Sequence, residues 1–185
     1  TGNAQGPQCQ NHLFKGWAGR MTYTREQLES LLALEDFHDI YAQADALRRE
    51  TVGDAVHIRA LLEFSNHCRR RCAYCGLRAP RRDLPRYRMT PEEILASVQE
   101  AARAGYRTIV LQSGEDPWYT PALLGNIVRE IKKATDMAVT LSCGEMSRED
   151  YALLREAGAD RYLLKHGTAD EELYQSLHPD GTLRE

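Results

Sequence analysis

From Gly53 onward the chain alternates short apolar runs with amphipathic stretches, four times over. Val56–Phe64 alternates and reads as a strand, as do Thr108–Gln112, Met137–Ser142 and Arg161–Leu164. The intervening stretches read as helices. Thr90-Pro91-Glu92-Glu93 supplies an N-cap, a proline at the first helical position and acids in the first turn. That helix is expected to run to Ala104 and stop at Gly105. Pro121–Lys133, Arg148–Ala157 (closed by Gly158) and Asp170–Leu177 are the other three. Strand–helix alternation of this kind demands a parallel sheet with right-handed crossovers. Each strand runs into a polar or glycine-bearing loop, and in such folds chemistry gathers at those strand ends. Four units cannot close a (β/α)8 barrel, which takes about 250 residues. The 185-residue sequence stops just after the fourth helix. The expected fold class is therefore α/β: the N-terminal half of a (β/α)8 TIM-type barrel, about four βα units, truncated on its C-terminal side. A complete four-stranded open sheet is the alternative.

Three segments are expected. Residues 1–20 lack periodicity and an apolar run, reading as a flexible lead-in rather than a signal peptide. Without an initiator Met the sequence reads as processed, tagged or partial. Residues 21–52 read as two helices: Thr22 or Thr24 can cap the first, Leu28, Leu31, Leu32 and Leu34 give it an apolar face, and Ile40, Tyr41, Ala44 and Leu47 continue at helical spacing. Residues 53–185 form the core. No window approaches the ~18 apolar residues of a membrane span. Hydrophobic residues make up 42% of the chain and recur throughout, which excludes a disordered polymer.

The five cysteines are Cys9, Cys68, Cys72, Cys75 and Cys143, an odd number with three inside one loop. Such clustering reads as a metal or cluster site in a reducing, cytoplasmic compartment rather than a secreted disulfide framework. Cys68-Arg69-Arg70-Arg71-Cys72-Ala73-Tyr74-Cys75 follows the first strand directly, with spacing C-x3-C-x2-C. Thiolate is the ligand that iron–sulfur clusters take. Three thiolates on a four-iron cubane leave one iron free to bind a small molecule. A structural zinc needs four ligands, usually in two separated pairs; here His67 or Cys143 would have to complete it. A redox disulfide is a third reading, and a non-catalytic zinc- or cluster-binding module remains the alternative to an enzyme. Cys9 reads as a bystander and Cys143 as a packed structural thiol.

These residues resemble the radical S-adenosylmethionine superfamily. The resemblance implies a 4Fe–4S cluster on Cys68, Cys72 and Cys75, whose open iron chelates S-adenosylmethionine for reductive cleavage to a 5′-deoxyadenosyl radical. It places Tyr74 near the adenine. It makes Ser113-Gly114-Glu115, at the end of the second strand, the counterpart of a Gly-Gly-Glu-like turn. Longer strings are similar to the HydE-type radical maturases of iron-only hydrogenase. They include His57-Ile58-Arg59-Ala60, Glu63-Phe64-Ser65-Asn66, Tyr74-Cys75-Gly76-Leu77-Arg78, Arg86-Tyr87-Arg88-Met89-Thr90-Pro91 and Gln112-Ser113-Gly114-Glu115-Asp116-Pro117. Biotin synthase and methylornithine synthase share the plan. The implied role is assembly of the hydrogenase diiron cofactor under anaerobic conditions. The implied partners are a reductant such as ferredoxin or flavodoxin, other hydrogenase maturation proteins and a small sulfur- or iron-containing substrate. Ser113, Gly114, Glu115 and Lys165 are the further cofactor contacts implied, with Ser142 on the substrate side. The sequence departs from the family after the fourth strand, where Gly167 stands in place of a Glu expected to meet the cofactor.

Eight arginines lie between Arg69 and Arg88, with Asp83 the only acid among them. Phosphate binding, an acidic electron donor, the anionic cluster or mere solvation would each suit them. No interleaved aromatic run supports base stacking, and the net charge of −3 argues against a nucleic-acid partner. His57 reads as a satisfied core histidine, and Trp118-Tyr119 as loop packing.

Overall fold

The computed structural model describes residues 23–181. The expected lead-in, Cys9 and a cap at Thr22 lie outside the described residues. Two compact units divide between Val56 and His57. The first holds α1 (Arg25–Leu32) and α2 (His38–Val52). Thr24 caps α1 in a reciprocal capping box with Gln27.

The second unit is a parallel sheet in the order β1-β2-β3-β4: β1 (Ala60–Ser65), β2 (Thr108–Ser113), β3 (Ala138–Ser142) and β4 (Arg161–Tyr162). Helices α3 (Pro91–Arg103), α4 (Pro121–Ala134) and α5 (Arg148–Glu156) make the crossovers, and α6 (Glu171–Leu177) follows β4. Every helix of this unit opens on a side-chain cap: Thr90, Thr120, Ser147 and Asp170 each accept the N–H of the residue three further on. Strand order follows chain order with no reversal. That is the arrangement of a barrel wall, and it differs from an open doubly wound sheet, where the order reverses at a switch point.

The register explains which face is buried. Ile109 pairs with Val139 and Leu111 with Leu141 across β2 and β3, and all four are buried. They join Ile94 and Val98 of α3 and Leu124, Val128 and Ile131 of α4 in one apolar core. The opposite face carries the rows Leu61–Val110–Thr140–Arg161 and Glu63–Gln112–Ser142. This face is polar for half its length and Leu61 on it is 57% exposed. The buried Thr140 hydroxyl on it has no hydrogen-bond partner.

Two strands are shorter than their apolar runs. Val56 and Ile58 are 86% and 70% exposed, and β1 begins only at Ala60, where pairing with Ile109 starts. Alternation without a partner strand does not make a strand. His57, expected in the core, is consequently exposed and outside β1. At the other edge β4 pairs over two residues, with Leu163 N–H adding one bond to the Leu141 carbonyl at 2.8 Å. The outer edge of β1 is partly covered: Met89 N–H donates to the Phe64 carbonyl at 2.8 Å and Ser65 bridges Arg88.

Among the described residues, the exposed Leu61 end of that face and the open side of β4 favour association. The 185-residue chain should therefore self-associate as its concentration rises. Size-exclusion chromatography with light scattering checks this; a concentration-independent monomer would contradict it.

Candidate metal centre

The loop after β1 carries Cys68, Cys72 and Cys75, all half-buried and free. It opens on a cavity of about 180 Å³ at the C-terminal ends of the strands. Cys68, Cys72 and Tyr74 line it from the loop, Ser113 and Glu115 from the end of β2, and Ser142 and Lys165 from the ends of β3 and β4. Cys75, Gly114 and Gly167 are not on its wall. Cys75 sits behind the turn, its N–H donating to the Cys72 carbonyl at 3.1 Å.

The thiols feel one another. Burial pushes the Cys72 thiol up from its ordinary range, and Cys68 and Cys75 add to the rise because neighbouring thiolates repel. A cationic metal relieves both effects. Among the described residues no three Cys, His, Asp or Glu side chains gather closely enough to hold a single metal ion. A lone zinc would need its sulfurs at about 2.3 Å, whereas in a cluster each thiolate takes a different iron and the sulfurs stand apart. Three thiols from one loop, with no second Cys pair among the described residues to complete four ligands, suit a cluster better than a structural zinc. Cys143 lines a separate cavity, and burial raises its thiol to about 11. It is a packed thiol.

Two arginines, Arg86 and Arg78, hold this loop in shape. Arg86 donates to the carbonyls of Asn66, Leu77 (3.0 Å), Arg78 (3.2 Å) and Arg81 (2.9 Å). Arg78 donates to the carbonyls of Ala73 (3.3 Å) and Cys75 (3.1 Å). Arg88 forks onto Asp116 at 2.7 and 2.9 Å, and Ser65 donates to the same carboxylate at 2.7 Å. Arg81 pairs with Asp83. Arg69, Arg71 and Arg82 stay exposed.

Glu115 is held by cations. Its carboxylate accepts from Arg69 Nε at 3.0 Å, Arg70 Nε at 2.7 Å and the Glu145 N–H at 3.0 Å. Arg70 also reaches Glu145 at 2.5 Å. Two glycines make room. A Cβ on Gly144, which has φ of +89°, would collide with the Glu115 side chain, and one on Gly114 would stand 2.6 Å from the Cys68 Cβ. Ser113, the expected counterpart of a Gly, donates its hydroxyl to the Gly114 carbonyl at 2.7 Å. Gly167 has φ of +78°, a conformation that L side chains rarely adopt.

Sequence reasoning missed the fourth wall. Tyr174, His178 and Asp180, from the end of α6 and just beyond, line the same cavity, as does Gln112. Ala73 N–H donates to the Leu177 carbonyl at 2.8 Å and Arg71 N–H to Asp180 at 3.1 Å. The readable signal was only the capped α6 helix, since nothing local says which loop its end will meet. Tyr119 packs as expected, edge-on to Phe64 with its hydroxyl on the Met89 carbonyl.

A thiolate-bearing loop at the mouth of a parallel β/α wall defines a metallocofactor protein of the barrel class. Residues 62–185 match the Radical SAM superfamily, and the chain belongs to that family. Membership implies a 4Fe–4S cluster and S-adenosylmethionine. The chain is 54% identical over 164 residues to the [FeFe] hydrogenase maturase subunit HydE of Thermotoga maritima, covering 87% of this chain and 47% of that protein. It superposes on the crystal structure of methylornithine synthase (PylB) with TM-score 0.78 and 29% identity, covering 87% of this chain and 49% of that one. It superposes on the crystal structure of HydG, a maturase of the [FeFe]-hydrogenase, with TM-score 0.77 and 25% identity over 86% of this chain and 37% of that one. The chain spans about half the length of the curated relatives it matches. No described helix is long and apolar enough to cross a membrane.

Two outcomes follow from this geometry. Gly114→Ala should push the Cys68 segment aside and lower iron uptake on anaerobic reconstitution well below the parent level, while far-UV circular dichroism stays close to it. Burial opposes ionisation of Asp116, but Arg88, Ser65 and the Trp118 N–H outweigh it and hold the carboxyl below its ordinary value. A depressed folded-state value stabilises above the unfolded pKa of about 3.9 and is lost as pH falls through the folded one. Asp116→Asn should therefore cost roughly 1.5–3 kcal/mol at pH ~7 and flatten the acid limb below pH ~4. Urea midpoints measured across that range check both parts.

Proposed function

We propose that Cys68, Cys72 and Cys75 hold a 4Fe–4S cluster and that the adjoining cavity takes S-adenosylmethionine. On this reading the chain is the cluster-bearing part of a radical enzyme that helps assemble the diiron cofactor of [FeFe]-hydrogenase. The observation that carries it is the three-thiol loop opening on a cavity at the strand ends of a radical-SAM wall. Bound together, cluster and cofactor supply a one-electron cleavage that yields a 5′-deoxyadenosyl radical. This chain's residues supply the rest. Tyr74 offers an aromatic face beside the thiols. Glu115, neutralised by Arg69 and Arg70, offers its carboxylate to a cofactor amine, and Ser113-Gly114 lets the turn approach the loop. Lys165 places an ammonium on the same wall for a carboxylate. Ser142 stands on the substrate side, in the row next to the unpaired Thr140 hydroxyl and Arg161. A small polar, sulfur- or iron-containing substrate suits that lining.

The stronger resemblance to the HydE maturase than to methylornithine synthase, over nearly the same stretch, favours hydrogenase maturation over other reactions of the branch. The partners on this reading are a one-electron donor of the ferredoxin or flavodoxin class and the other maturation proteins.

Anaerobic reconstitution with iron and sulfide tests the assignment. The chain should turn brown and bind about four iron atoms, as a four-iron cluster requires. Its reduced spectrum should shift on adding S-adenosylmethionine. Cys68→Ala, Cys72→Ala and Cys75→Ala should each abolish the cluster, while Cys9→Ser and Cys143→Ser retain it. A colourless chain with one tight zinc, or full cluster content in Cys72→Ala, would refute the ligand set.

A further inference from the structure

The loop that bears the thiols has almost no secondary structure of its own, and a distant segment grips it at three points. The Leu177 carbonyl takes the Ala73 N–H at 2.8 Å, and Asp180 takes the Arg71 N–H at 3.1 Å. His178 Nε2 lies 2.9 Å from the Tyr74 hydroxyl. Arg71 precedes Cys72, and Ala73 and Tyr74 stand between Cys72 and Cys75, so two backbone contacts and one side-chain contact surround Cys72.

The chemistry of the histidine sets the direction of its bond. His178 Nδ1 lies 3.2 Å from the Tyr174 carbonyl, which can only accept. Nδ1 therefore carries the proton, and in the neutral ring Nε2 is the acceptor. The Tyr74 hydroxyl donates to it. The ring is also held by packing: it stacks on Tyr174 at 4.3 Å and 24°, and meets Tyr74 edge-on at 5.4 Å and 81°. Its rotamer and tautomer are both set before any ligand arrives.

We propose that His178 is a positioning residue that acts through Tyr74. With Leu177 and Asp180 it latches the end of α6 onto the cysteine loop and pre-orders Cys72 and Cys75 for the metal. Ordering a loop in advance removes part of the entropy that ligation would otherwise cost. The inference rests on the cluster reading above, and the latch has a readout that needs no metal.

The full chain offers trypsin a run of arginines inside the latched loop, Arg69-Arg70-Arg71, and a reference site at Lys132-Lys133 in α4. Cleavage in the metal-free chain reports local opening. Removing one hydrogen bond should raise cleavage within residues 69–71 about fivefold relative to the α4 site. That increase is expected for His178→Ala and for Tyr74→Phe, together with iron uptake well below the parent chain's after anaerobic reconstitution. His178→Gln, which can return an acceptor near the Nε2 position, should restore both. The double variant Tyr74→Phe/His178→Ala should be no worse than His178→Ala alone, because the bond that Tyr74→Phe deletes is already gone there.

Parental cleavage and iron uptake in both single variants would overturn the latch, as would multiplicative effects in the double variant. If His178→Ala also opens the α4 site, its fold is generally loosened and Tyr74→Phe, which deletes one oxygen, decides: a parental loop in that variant overturns the proposal. A parent chain that takes up no iron refutes the cluster reading instead, and the protease comparison still settles whether His178 holds the loop.

Discussion

The guanidinium of Arg86 is the interaction on which the candidate site depends. The segment from Asn66 to Arg86 leaves the sheet, carries the three cysteines and returns, with no helix or strand to satisfy its backbone. Buried carbonyls without partners are costly. Arg86 collects four of them, from both ends of the excursion, and so ties its start at Asn66 to its far side at Arg81. Arg78 does the same on a smaller scale inside the cysteine turn. A lysine could not substitute: its compact ammonium lacks the planar fork that spans several acceptors.

The same residues set the local charge. A loop so rich in arginine is held near the sheet only where its cations find carboxylates. Arg69 and Arg70 converge on Glu115, which is nearly buried, and Arg88 on the fully buried Asp116. Each carboxylate comes from the loop after β2 and each arginine from the excursion after β1. Ion pairs thus staple neighbouring loops at the mouth of the wall. Exposed pairs contribute little, but these are sheltered on the acidic side, where hydrogen bonds to a charged group are stronger.

Much of this was legible in the sequence and the rest had identifiable reasons for being hidden. The helices of the core were readable because each carries its own stop and start: Thr90 with Pro91 and Glu93, Thr120 with Pro121, Ser147 with Asp150. Strand ends were less so, because pairing is a property of two segments. Val56 and Ile58 alternate correctly yet meet nothing, and His57 is exposed with them. Ser113, Glu115, Ser142 and Lys165 fell on the cavity wall because each stands at a strand end, where a parallel sheet delivers its side chains to one mouth. Residue type alone could not place the arginines. Their density left phosphate, an acidic donor, the cluster and solvation open, while in the fold Arg78 and Arg86 turn to backbone carbonyls and Arg69, Arg70, Arg81 and Arg88 to carboxylates, partners that no sequence pattern reveals.

Gly167 shows how the hidden part and the legible part are joined. The sequence marks it only as a missing carboxylate. In the fold it is a turn with φ of +78° between β4 and α6, and a Cβ there would stand 3.5 Å from His178 Cε1. The turn therefore returns the chain toward α6 while keeping clear the ring that faces Tyr74. A glutamate at this position would need a backbone conformation that costs about 1 kcal/mol or more for a residue with a Cβ, and its side chain would have to leave past the same ring. Gly167 and His178 thus meet where the chain turns from β4 into α6. On the wall beyond β4 Lys165 is joined by Tyr174 of α6 and by His178 and Asp180 just past it, so the segment that grips the cysteine loop also lines the cavity.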